Sequence, residues 1–188
     1  MLDLIIRNGK CYIDGELKEV DVAIKDKKIH QIGQISEEAK ETIDASGHTV
    51  LPGCIDTQTH FREPGSTDTE DLHSGSRAAI AGGITSVFEM PNTNPPTSNK
   101  KEFQRKLDLA KNRMYCNYAF YFGATADNAD DLASLKDLEG CCGIKLFAGS
   151  STGNLLVAEE DDIDKVFQNA SKVVAVHSED EAILKVNK

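Results

Sequence analysis

Several features are missing from this chain of 188 residues, and each absence removes a class of function. No apolar stretch approaches the roughly 20 residues needed to cross a bilayer, which excludes a helical membrane anchor. Basic residues are scarce: 21 Lys and Arg stand against 31 Asp and Glu, a formal charge of -10. Phosphate backbones are bound mainly through Lys and Arg, so nonspecific affinity for nucleic acid is not expected. The five cysteines, Cys11, Cys54, Cys116, Cys141 and Cys142, are odd in number and include no Cys-x-x-Cys pair. Neither a disulfide framework nor a thiolate zinc knuckle follows, and each reads as a reduced, strand-associated apolar residue. The start, Met1 to Arg7, is apolar but lacks a basic leader and is too brief for a signal core. These absences leave a cytoplasmic protein whose partners are small molecules or other proteins.

What is present changes character near residue 50. Before it, short strand-like segments at 2–8, 20–25, 28–32 and 41–44 are separated by Asn8-Gly9, Asp14-Gly15, Asp26-Lys27 and Ser46-Gly47, all turn signals. This predicts a small β-subdomain over residues 1–50. From residue 51 to 188 strands and helices alternate. Apolar runs at 50–58, 84–90, 116–123, 142–148 and 173–177 are separated by helical stretches at about 69–81, 99–112, 128–138 and 159–169. Such alternation means parallel βαβ units, about five of them. Ala81-Gly82-Gly83 suits a left-handed helix end, and Ser98 or Asn99 a helix start.

Candidate chemistry follows the strands. After the run at 50–55, read as a buried strand, comes Asp56-x-Gln58-x-His60-x-Arg62-Glu63-Pro64-Gly65. Side chains two apart on a strand share a face, so Gln58, His60 and Arg62 project together. After the second strand stands Met90-Pro91-Asn92-Thr93, whose plain alternative is a Pro-Asn turn. Lys145 lies inside the apolar fourth strand, where an ammonium is costly unless paired, neutralised or snorkelled to solvent. His177 ends the fifth strand. His30 and His48 fall in the β-subdomain and His73 in a helix's first turn, so none is assigned to metal.

These four motifs, in this order, resemble the dihydroorotase branch of the amidohydrolase superfamily, whose usual first motif has His where this chain has Gln58. The resemblance covers essentially the whole chain and implies an incomplete (β/α)8 TIM-type barrel, since a closed one takes about 250 residues. It further implies zinc, one or two ions, held by His60, His177 and a carboxylated Lys145, with Gln58 a poorer ligand. Arg62 and Asn92 would hold a substrate carboxylate. The implied reaction is reversible hydrolysis of dihydroorotate to N-carbamoyl-aspartate in pyrimidine biosynthesis. Family members carry a further histidine ligand and an acid-base aspartate in a region expected beyond Lys188, so the chain is expected to be an N-terminal portion, inactive alone. Loss of acid-base catalysis alone costs about 10² to 10⁴-fold. A complementing C-terminal half or a homo-oligomer is the expected partner. The alternatives are a hydantoinase- or allantoinase-type hydrolase, or a non-catalytic remnant or interaction subunit, as some relatives associate with aspartate carbamoyltransferase.

Overall fold

The computed structural model describes residues 1–151 and 154–187, in two compact units, Met1–Pro52 and Gly53–Lys188. Of the fourth-strand motif, Thr152 and Gly153 lie outside the described residues.

In the first unit, β1 (Leu2–Arg7), β4 (Asp21–Lys25), β5 (Lys28–Gly33) and β6 (Ala39–Asp44) form a sheet in the order β5-β4-β1-β6. Leu2, Ile5, Ala23 and Ile35 make its small core. A second sheet, β3-β2-β7, joins β2 (Lys10–Ile13), β3 (Glu16–Glu19) and β7 (Thr49–Val50). The β2-β3 hairpin turns on Asp14 and Gly15, both at positive φ (51° and 86°), which suits a two-residue turn between twisted strands. Its strands escaped the apolar pattern because every residue of β3, Glu-Leu-Lys-Glu, is exposed.

The second unit is a curled parallel sheet of five strands in sequential order: β8 (Cys54–Thr59), β9 (Ile84–Glu89), β10 (Asn117–Gly123), β11 (Cys141–Phe147) and β12 (Val174–His177). Between them run α1 (Leu72–Ala81), α2 (Lys100–Ala110), a 3₁₀ helix (Ala126–Leu135) and α3 (Glu160–Asn169), and α4 (Glu181–Val186) follows. This is the expected partial barrel of five βα units behind small N-terminal strands. Helix starts other than that of α3, which has no side-chain cap, are built from short polar side chains. Asp71 accepts Ser74 N–H at 2.6 Å while Ser74 Oγ accepts Asp71 N–H at 3.1 Å, and Asn99 accepts Glu102 N–H at 2.9 Å. The third connection is 3₁₀, not α. Asn128 there bonds Thr125 N–H, Ser98 O and Gly123 O, a side chain competing with regular backbone pairing.

The run at 50–55 is not one buried strand. Val50 ends β7, and Gly53 passes so close to Thr85 that any Cβ there would collide with its side chain. Cys54 and Ile55 then open β8, the edge strand of the sheet, and both are exposed.

Register sorts the sheet's faces, because in-register neighbours of a parallel pair point the same way. Val87, Phe120, Phe122, Ile144 and Leu146 face the helices and pack with Phe103, Leu132, Leu135 and Val166. Gly123 pairs Lys145, Lys145 pairs Ala175, and Phe147 pairs His177, all on the opposite face.

Thiol chemistry follows from this layout. Burial pushes the Cys11, Cys116 and Cys141 thiols up, and Cys142 is pushed up to about 12 by burial and by Cys141 beside it. Raised pKa values suppress the nucleophilic thiolate, which argues against oxidant sensing by the vicinal pair. Cys54 is the exception to the expectation of packed cysteines. Native protein treated with a disulfide reagent at mildly alkaline pH is expected to react rapidly at Cys54 alone, with all five reacting in urea; fast modification of Cys142 detected by mass spectrometry would contradict this packing.

Candidate active site

The site lies where β8, β9, β11 and β12 end. Thr59 O accepts Met90 N–H at 2.9 Å, bringing the segments after β8 and β9 together. His60 and Asn92 follow on these segments, and His60 Nδ1 lies 2.9 Å from Asn92 Oδ1. The amide oxygen can only accept, so Nδ1 carries the proton and Nε2 keeps its lone pair. Burial holds the imidazole below its ordinary pKa, with the charges of Arg62, Lys145 and Lys106 adding and the Asn92 bond opposing. A neutral imidazole with one free nitrogen is the form that binds metal.

Asn92 sits in a braced loop. Pro91 O accepts both Thr93 N–H and Thr97 N–H at 2.9 Å, and Thr93 Oγ1 donates to Pro95 O at 2.9 Å. The chain after His60 is equally fixed. Glu63 is buried, accepts Arg113 at 2.8 and 3.1 Å, and caps α1 through Leu72 N–H at 2.9 Å. Between these anchors Arg62 is held at φ 59°, a left-handed conformation uncommon outside Gly, Asn and Asp. It is exposed, and among the described residues no carboxylate pairs with it.

Lys145 is buried, at 3% exposure, with Nζ 4.8 Å from the centre of the Phe147 ring. Among the described residues its ammonium makes no hydrogen bond. Burial lowers its pKa, opposed by the Glu179 carboxylate. His177 packs edge-on to Phe147 at 5.9 Å, with Nε2 3.1 Å from Glu179 Oε1. Glu179 Oε2 is buried without a partner among the described residues. Gln58 is exposed and its side chain forms no bond among the described residues. His60 and Asn92 are thus in contact, Lys145 and His177 share the face across β11 and β12, and among the described residues Arg62 has no salt-bridge partner and Gln58 no side-chain hydrogen bond. His73 lies away from these residues, edge-on to Tyr115 at 5.1 Å, while His30 and His48 are exposed in the first unit.

Sequence reading passed over Glu89 and Lys106, an ion pair with side chains 1% and 0% exposed. Lys106 also donates to Met90 O at 2.9 Å. A signal was there: Lys106 is three residues after Phe103 and four before Ala110, which places it on the buried face of α2. Burial pushes Glu89 up to about 7 against the opposing pull of Lys106.

Among the described residues no three His, Cys, Asp or Glu side chains gather closely enough to hold a metal ion. Lys145 offers a nitrogen on the face that carries His177.

The model described as "Amidohydrolase family" matches residues 49–181. The chain belongs to the amidohydrolase family. It is 37% identical over 190 residues to an allantoinase of Escherichia coli O1:K1 / APEC and 35% identical over 185 residues to a dihydroorotase of Methanosarcina mazei. Each alignment covers 96% of this chain, but only 42% and 40% of those relatives. The L-hydantoinase (dihydropyrimidinase) structure from Arthrobacter aurescens superposes with a TM-score of 0.90 at 30% identity, over 99% of this chain and 43% of that one. The chain thus spans about two fifths of the length of the relatives it matches. The family is one of hydrolases that generally depend on metal. Among the described residues no helix is long and apolar enough to cross a membrane.

Proposed function

We propose that this chain supplies the metal-binding and carboxylate-binding part of a dihydroorotase-like cyclic amide hydrolase, acting in the cytoplasm on dihydroorotate to give N-carbamoyl-aspartate. The observation behind it is Arg62, exposed, without an acidic partner among the described residues, and held at positive φ beside the His60–Asn92 pair. A planar guanidinium suits a substrate carboxylate, which dihydroorotate has and hydantoin lacks. Asn92 spends its oxygen on His60, leaving its NH₂ to donate to the same carboxylate.

The residues fit zinc. Free Nε2 on His60, the imidazole of His177 and the Lys145 nitrogen would be the donors, with Gln58 a weaker neutral one. Desolvation favours the neutral Lys145 amine, which attacks CO₂; the C–N bond forms, one proton leaves to solvent, and an anionic carbamate results. Zinc held there, as one or two ions, would supply water of a pKa lowered to about 7 and would polarise the ring carbonyl. His60 would be held in its binding tautomer by Asn92, Arg62 would fix the ring's orientation, and buried Phe147 and Tyr121 would keep water from the Lys145 side. We assign the acid-base aspartate to the part of the relatives' length that this chain does not span.

A second reading, hydrolysis of allantoin or hydantoin, is favoured by the allantoinase and hydantoinase relatives. The deciding experiment mixes the chain with the C-terminal part of a related dihydroorotase, in zinc and bicarbonate, and compares the three rings. Faster opening of dihydroorotate is expected, with Arg62→Met raising its KM about 10 to 100-fold, the loss of a charge-assisted contact. Faster opening of allantoin or hydantoin, indifferent to Arg62, selects the second reading. No turnover in a folded assembly selects a non-catalytic interaction subunit.

A further inference from the structure

A fully buried ion pair contributes little to stability on balance, because desolvation of both charges offsets their attraction, and apolar residues of similar volume often serve as well. Glu89 and Lys106 are such a pair, so packing alone does not account for them. Their other bonds point to a task. Glu89 pairs in register with Thr59, the residue before His60, and the next residue, Met90, gives its N–H to Thr59 O at 2.9 Å. Lys106 Nζ donates to Met90 O, two residues before Asn92, and lies 5.1 Å over the Phe120 ring. The pair thus ties down, from the helix side of the sheet, the two segments whose side chains meet on the other face as His60 Nδ1 and Asn92 Oδ1.

We infer that Glu89 and Lys106 are positioning residues that set the His60–Asn92 hydrogen bond and so keep His60 Nε2 free on the site's face. The inference rests on the proposed function only in treating His60 as a working imidazole. Neither residue touches the reacting atoms. Lys106 acts through the Met90 backbone, and Glu89 acts by holding Lys106 there.

The test compares the full chain with its Glu89→Leu/Lys106→Met variant, which removes both charges and leaves neither unpaired. Folding is followed by urea midpoint, the His60 tautomer by long-range ¹H–¹⁵N spectra of the imidazoles, and zinc affinity by titration. The variant is expected to stay folded while His60 passes from a single Nδ1–H form to a mixture, and zinc affinity falls about 10 to 100-fold, as for lost outer partners of a metal-binding histidine. A folded variant with the wild-type tautomer overturns the inference. Should the double variant not fold, Glu89→Gln is read in the same way: it keeps the shape of the side chain and an oxygen beside Lys106 but removes the charge that holds it. A wild-type chain that binds no zinc, yet whose tautomer is locked and is released in the variant, sinks the metal reading and leaves the positioning role standing.

Discussion

Lys145→Met is expected to stabilise the folded chain by about 1 kcal/mol while abolishing bicarbonate-dependent zinc uptake. Burial disfavours the charged form of Lys145, so part of the about 1 to 3 kcal/mol cost of an unsatisfied buried polar group applies, and the contact with Phe147 offsets about 0.5 to 1 of it. Methionine matches the length and apolar surroundings of the Lys145 stem without the ammonium. The functional effect has the opposite sign, because no carbamate can form on a thioether. Wild-type chain at a zinc concentration 100-fold above its Kd should gain about 2.7 kcal/mol from the metal, and the variant none. Urea unfolding with and without zinc and bicarbonate, together with elemental analysis, checks both halves. A destabilised variant, or one with unchanged zinc content, would sink the assignment of Lys145.

Lys106→Met alone is expected to cost about 3 to 5 kcal/mol, the penalty for leaving one charge of a buried pair uncompensated. That is a large share of the total stability of a domain, about 5 to 15 kcal/mol. Removing Glu89 as well should recover most of it. The single variant's loss should also depend on pH. A carboxyl whose folded pKa is raised holds its proton more tightly folded than unfolded, so stability falls as pH rises from the ordinary carboxylate range through the raised value. The deficit is therefore smaller at about pH 5 than at about pH 8. Urea midpoints at the two pH values decide it. An equal deficit at both, or none at either, would mean that Glu89 is not the charge left behind.

The alternation of strand and helix was legible because the barrel strands after the first are short apolar runs and a capping residue marks a helix start, as at Asn99. The strand period predicted one face for Gln58, His60 and Arg62, but β8 ends at Thr59, shifts register after Asp56, and leaves Arg62 at φ 59°, so that period does not run through the motif. The β2-β3 hairpin was not legible, since Glu16–Glu19 shows no apolar face. Nor was the break at Pro52-Gly53, where the apolar run continues while the chain passes from one sheet to another. The 3₁₀ helix was read as ordinary helix because its composition fits both, and the bonds of Asn128 decide between them.

Sequence by itself determined the family motifs, the five βα units and the residue types offered at the strand ends, since these depend on patterns within a few residues of each other. Only the tertiary structure decided how those residues are set. His60 meets Asn92 across 32 positions, Glu63 meets Arg113 across 50, and Lys106 reaches Met90 across 16. The physical reason is that tautomer, ion pairing and desolvation belong to contacts between segments far apart in the chain, and no local period encodes which distant partner arrives or how much water it displaces.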